Sequence, residues 1–120
     1  MSDSSNASAI FVLDASALVA FLWQEPGEKV VADLLAEPDN VCLVHAVNLC
    51  EVYYDFLRRT DKETAQQATR DLIAAGIEVQ ENVGTPLWQQ VGELKVYPGR
   101  LSLADCFALA LAIQNGATLV

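Results

Sequence analysis

The sequence predicts a single α/β domain: a parallel sheet of four or five strands, covered by helices on both faces. Three observations carry this. Short apolar runs alternate with longer segments of helical pattern, which is the rhythm of strand-helix-strand units. The runs AIFVL at 9–13 and VCLV at 41–44 are apolar throughout, where a strand wetted on one face would alternate. The chain has 120 residues, 52% of them hydrophobic, which is enough for one core but not for two.

Each element has its own signal. Residues 1–8 (MSDSSNAS) are polar, lack the apolar centre of a signal peptide or anchor, and read as a flexible tail, leaving 9–120 as the domain. The first strand, 9–13, runs into Asp14, and ASALVAFLW at 15–23 reads as a helix. Pro26 and Gly27 punctuate before a second helix at 28–37, which Pro38 closes. VCLV is the second strand, followed by a long helix over 46–59. Asp61 caps a helix that runs to Ala75, where Gly76 ends it. IEVQ at 77–80 is the third strand, Thr85-Pro86 opens a helix to about residue 96, and Ser102 opens the last one, to Asn115. Gly116 then leads into ATLV, the fourth strand.

Composition excludes several functions. No uncharged apolar stretch approaches the ~20 residues that cross a bilayer, so no membrane partner is expected. A net charge of −9 argues against a basic nucleic-acid footprint, although bound cations can supply positive charge locally. Cys42, Cys50 and Cys106 lie in apolar segments without metal or redox spacing, and read as buried small hydrophobes in a reducing cytoplasm. His45, the single histidine, reads as a structural or capping residue at a strand-to-helix junction.

Three acids stand out because each follows or interrupts a greasy run: Asp14 closes AIFVLD, Glu51 sits in VNLCEVYY, and Asp105 interrupts SLADCFALALAI. A carboxylate among apolar neighbours is desolvated, and it normally neutralises, pairs or binds a metal. Seven Lys and Arg face sixteen Asp and Glu, and no cation lies within four residues of Asp14 or Asp105. A divalent metal is the leading candidate. In a parallel sheet the strand C-termini and the following helix N-termini share one edge, and all three acids can reach it. Each also has a plainer explanation. Asp14 suits the N-cap of the helix at Ala15, and Asp105 can complete a capping box with Ser102. Glu51 recurs with Asn48, Asp55 and Arg58 at helical spacing, as a solvated stripe would. The helix of Asp105 is apolar on every face from Leu103 to Ile113 and is expected in the core.

At VLDASAL (12–18), NLCEVYYDFLRR (48–59) and SLADCFALALAIQNGATLV (102–120) the chain resembles the PIN-domain family, and most of all the VapC-type ribonuclease toxins of bacterial toxin-antitoxin systems. The resemblance implies a Mg²⁺ or Mn²⁺ site, endoribonuclease activity on RNA, a homodimer and a small antitoxin partner. Carried over by residue, Asp14, Glu51 and Asp105 match the metal-holding acids, with Asp14 and Asp105 as direct ligands and Glu51 activating water. Ser16 matches the hydroxyl residue of the opening motif, and Asn48 matches the polar residue before the Glu. Arg100, at the mouth of the last helix, suits a phosphate contact, so Ser16, Asn48 and Arg100 form the expected substrate-binding set. The family carries a further acid in a turn past the last strand, and the sequence ends at Val120, where that turn would begin. Residues 9–120 are therefore expected to be the domain without its C-terminal end. The aromatic residues Trp23, Tyr53 and Tyr54 are expected to serve association.

Two other readings stay open. A PIN-like module could dimerise and hold a partner without cutting. Asp14 could instead be the phosphate acceptor of a phosphatase-like α/β enzyme, although such phosphatases want a second Asp two residues on, where this chain has Ser16.

Overall fold

The computed structural model describes residues 9–120, so the tail expected at 1–8 lies outside the described residues. In chain order the elements are β1 (Ile10–Val12), α1 (Ala15–Trp23), α2 (Glu28–Ala36), β2 (Val41–His45), α3 (Ala46–Arg59), α4 (Lys62–Ala74), β3 (Ile77–Gln80), α5 (Leu87–Val96), α6 (Leu103–Asn115) and β4 (Thr118–Leu119). The four strands form one sheet in the order β3-β2-β1-β4, and every pair is parallel.

Alternation along the strands sorts the side chains between two cores. Ile10 and Val12 stand opposite Val41 and Leu43, and these four pack on Ala108, Leu111 and Ala112 of α6. Phe11, Leu13, Cys42, Val44 and Ile77 point the other way and build the larger core with α1 to α4. Helices thus cover both faces, which is why the central strands are apolar throughout except at His45, the last residue of β2. Beyond α6, Leu87 and Val91 of α5 close a third cluster on Cys106 and Ala110.

Local chemistry sets the helix ends. Asp61 Oδ1 accepts the Thr64 N–H at 2.8 Å, and this backbone bond holds the Asp61 carboxyl below its ordinary pKa. Gly116, at φ 59°, supplies the left-handed residue that ends α6 and turns the chain into β4. His45 caps α3 as expected: its Nδ1 accepts the Val47 N–H at 3.1 Å, which leaves Nε2 to donate to the Asn82 carbonyl at 2.7 Å. That pairing assigns the donor role of this fully buried ring to Nε2.

Three expectations need correction. α6 is not enclosed by the core, since Leu103 and Ile113 are 55% and 50% exposed and only the face toward the sheet and α5 is buried. Cys50 is exposed, unlike Cys42 and Cys106, because it lies on the outer face of α3. Trp23 is not a free aromatic: its ring stacks on Phe56 with centroids 4.5 Å apart, and its Nε1 donates to Asp55 Oδ2 at 3.2 Å. No helix among the described residues is long and apolar enough to cross a membrane.

Adjacent residues of α4 give a test of this layering. Leu72 is fully buried, whereas Ile73 is 53% exposed. In urea unfolding, Leu72→Ala is expected to lower stability by about 2–5 kcal/mol. Ile73→Ala should stay within about 0.5 kcal/mol of the parent.

Candidate active site

The strand order places a switch point at β1. The chain steps outward from β1 to β2 and β3, then returns to lay β4 on the other side of β1, and such reversals open a crevice beyond the strand C-termini. A depression of about 250 Å³ lies there, lined by Asp14, Leu101, Asp105, Ala108, Leu109 and Leu119. A second, of about 210 Å³, is lined by Ala15, Ser16, Val19, Glu51, Tyr54, Asp55 and Arg58. A larger concavity of about 470 Å³ runs along α5 past Trp88, Glu93 and Tyr97, but none of the three acids lines it.

Asp14 serves as a cap and also faces the crevice. Its Oδ1 accepts the Ala17 N–H at 2.8 Å, closing the N-terminus of α1, while the carboxylate lines the depression shared with Asp105. Asp105 is freer than a capping residue. Ser102 Oγ accepts the Asp105 N–H at 3.1 Å, but among the described residues the Asp105 carboxylate returns no bond to Ser102. Only half of the capping box is made, and the charge is left facing the crevice.

Glu51, in the second turn of α3, is half-buried. Burial pushes its carboxyl above the ordinary range, and the charges of Asp105 and Asp14 push it further in the same direction. The three acids therefore share one electrostatic field. They do not form a tight cage, for among the described residues no three His, Cys, Asp or Glu side chains stand close enough to enclose one ion. The solvated-stripe explanation of Glu51 fails as well, because its stripe partners Asn48 and Asp55 are buried.

Asn48 departs from its expected role as a substrate contact. It is fully buried, its Oδ1 accepts the Ala15 N–H at 3.2 Å, and its Nδ2 donates to the Ala104 carbonyl at 3.1 Å. Ala15 follows Asp14 and Ala104 precedes Asp105, so one amide on the Glu51 helix ties together the backbones that carry the other two acids. Ser16 is exposed beside Glu51, at a wall that a substrate can reach. Arg100 is exposed in the turn before α6 and makes no ion pair among the described residues. Its turn depends on Gly99, at φ 84°, where a Cβ would come within 2.6 Å of the Val96 carbonyl oxygen. Arg100 itself does not line the crevice, although its neighbour Leu101 does.

Sequence reading missed Arg58, which shares a depression with Ser16 and Glu51. The signal was available in Asp55, which stands at i,i−3 to Arg58 and i,i−4 to Arg59 and so can pair with both.

The family model described as PIN domain matches residues 11–120. The chain is 30% identical over 115 residues to the VapC ribonuclease Mb2780c of Mycobacterium bovis, covering 91% of this chain and 87% of that one. Ribonuclease VapC42 of Mycobacterium tuberculosis matches with the same identity and coverage. Among solved structures, Mycobacterium tuberculosis VapC20, described as a sarcin-ricin loop cleaving toxin, superposes with a TM-score of 0.71 at 23% identity, over 91% of this chain and 85% of that one. VapBC2 from Rickettsia felis, bound to a DNA fragment from its promoter, superposes with a TM-score of 0.70 at 20% identity, over 92% and 85%. At these identities the superpositions bear on the fold alone.

Two outcomes test the geometry. Asn48→Ala leaves the Ala104 carbonyl and the Ala15 N–H without partners, and is expected to lower stability in urea by about 2–4 kcal/mol. Glu51 gives a pH test. Its folded pKa lies above the unfolded value, so its contribution to stability is present below the ordinary carboxylate range and is lost as pH rises through the folded pKa. In thermal melts with chelator, Glu51→Gln should therefore be more stable than the parent at pH 7, and the difference should close as pH falls toward 4.

Proposed function

Because the chain belongs to the PIN-domain family and is a relative of the VapC-type ribonucleases, we propose that it is a divalent-metal-dependent endoribonuclease and the toxin of a toxin-antitoxin pair. The observation that carries this is the electrostatic coupling of three acids: Asp14 and Asp105 line the switch-point crevice, Glu51 lines a second depression, and burial together with the charges of Asp105 and Asp14 pushes the Glu51 carboxyl up. Carboxylates left in mutual repulsion suit a cationic ligand.

The donor set fits Mg²⁺ or Mn²⁺. Both take hard oxygen ligands, and Mg²⁺ in particular keeps several waters and is commonly held by only one or two carboxylates. Acids that share a field without forming a cage suit an ion held partly through water. Asp14 and Asp105 would hold it, with Asp14 free to use Oδ2 because Oδ1 serves the α1 cap. Such an ion supplies positive charge beside the phosphodiester and makes water more acidic.

The chain's own residues supply the rest. Glu51 orients the attacking water, and its carboxylate oxygen takes the proton as the water adds to phosphorus, while the P–O bond to the leaving ribose oxygen breaks and that oxygen takes a proton from solvent. A raised pKa suits that task better than an ordinary carboxyl does. Ser16, in the depression beside Glu51, and Arg100, in the turn next to Leu101 of the crevice, would contact phosphate oxygens, while Asn48, being buried, keeps the three acid-bearing segments in register. A small antitoxin and a second copy of the chain are the protein partners of this reading, and a cytoplasmic setting accords with three cysteines that form no disulfide.

Two measurements test it. Mg²⁺ or Mn²⁺ should raise the melting temperature of the parent by selective binding to the native state, and Asp14→Asn or Asp105→Asn should remove the rise. Purified parent should cut single-stranded RNA with either metal and stop on chelation. Glu51→Gln and Asp105→Asn should each lower the rate about a hundredfold or more. Parent that responds to no metal and cuts no RNA would leave a binding module.

A further inference from the structure

α3 carries more of the site than Glu51. Tyr54 and Arg58 follow at i+3 and i+7, so acid, aromatic ring and guanidinium form one stripe along the helix, and all three line the depression that holds Ser16. Arg58 is the cation that stands there. Its side chain is 67% exposed, yet one Nη is fixed by donating to Asp55 Oδ1 at 2.9 Å.

Asp55 is an anchored partner. Its side chain is 11% exposed, its Oδ1 forms an ion pair with Arg59 Nε at 3.2 Å, and its Oδ2 accepts from Trp23 Nε1 at 3.2 Å. Arg59 lies over the Trp23 ring at 5.0 Å, and that ring stacks on Phe56. The cluster at the α1–α3 joint therefore aims Arg58 toward the depression while leaving most of its five N–H donors uncommitted. A guanidinium oriented in advance loses less freedom when it grips a phosphate. Tyr54 is 49% exposed, with no hydrogen bond to its hydroxyl among the described residues, and its ring is open on the same wall.

We propose that this depression is the path of the RNA strand to one side of the three acids, with Arg58 gripping a backbone phosphate and Tyr54 stacking on the adjacent base. The inference rests on the ribonuclease reading and specifies its substrate as single-stranded, because a base must leave its own stack to lie on Tyr54. It also supplies what an acidic chain of net charge −9 lacks, a fixed positive group beside its carboxylates.

The test uses the full chain carrying Asp105→Asn, so that RNA is not consumed, and measures affinity for a short mixed-sequence single-stranded oligoribonucleotide against salt. Adding Arg58→Ala should weaken binding about tenfold and flatten the log–log salt slope by about 0.7, the contribution of one phosphate contact on a single strand. Arg58→Lys should restore the slope and only part of the affinity. Tyr54→Leu should weaken binding about tenfold with the slope unchanged. A duplex of the same sequence should bind less tightly and should not respond to Tyr54→Leu. Arg58→Ala frees Asp55 and could loosen the α1–α3 joint, whereas Tyr54→Leu touches no polar partner and keeps the test independent of folding. If the Asp105→Asn chain binds RNA and both variants match it in affinity and slope, the strand does not pass over this wall, and the ribonuclease reading stands without it. If that chain binds no RNA and the parent cuts none, both readings fall together.

Discussion

The site depends on one buried amide. Asn48 accepts the Ala15 N–H through Oδ1 and donates to the Ala104 carbonyl through Nδ2, and no water-exposed alternative exists for a side chain with no accessible surface. A hydrophobic residue of similar size would fill the volume but leave a donor and an acceptor unpaired at two helix starts. Asp14 and Asp105 lie next in sequence to the two backbone groups that it holds, and Glu51 lies one turn further along its own helix. The relative placement of three like charges is thereby decided by neutral hydrogen bonds, which do not weaken when the charges repel.

That separation of tasks explains an otherwise unfavourable arrangement. Asp55 holds Arg58 and Arg59 at the α1–α3 joint, and Lys29 pairs with Asp33 on α2. The crevice acids have no ion-pair partner among the described residues. Burial raises the Glu51 pKa and the repulsion raises it further, and protons or a cation from solution relieve that repulsion. The packed sheet beneath, with β1 covered on both faces, supplies the stability against which this local repulsion is set.

Much of this was legible in the sequence, for identifiable reasons. The elements follow the sequence reading closely because their ends are set by local chemistry: Asp14, Asp61 and Ser102 accept N–H groups at helix starts, and Gly116 takes the left-handed turn. The acids stood out because a charge within an apolar run is expected to be desolvated, although Asp105 proves exposed while Asp14 and Glu51 are half-buried. What stayed hidden depends on tertiary placement. Nothing in IEVQ or ATLV says that β3 lies beyond β2 while β4 returns beside β1, yet that order creates the crevice. Asn48 reads as a polar helix residue until its two distant backbone partners, 33 and 56 residues away, are seen. Leu103 and Ile113 have the composition of core residues, but α6 is buried only toward the sheet and α5, so they face outward. Arg58 looked like an ordinary surface charge because the anchoring of Asp55 by Trp23 spans 32 residues.

The central claim is that carboxylates on three separate elements act as one electrostatic site. The most direct measurement is the titration of the Glu51 side-chain carboxyl carbon by NMR, in metal-free parent and in metal-free Asp105→Asn. The expected result is a midpoint above the ordinary carboxylate range in the parent that moves back toward that range when the Asp105 charge is removed. A Glu51 midpoint at the ordinary value in the parent, or one that ignores the loss of Asp105, would show that the acids do not share a site.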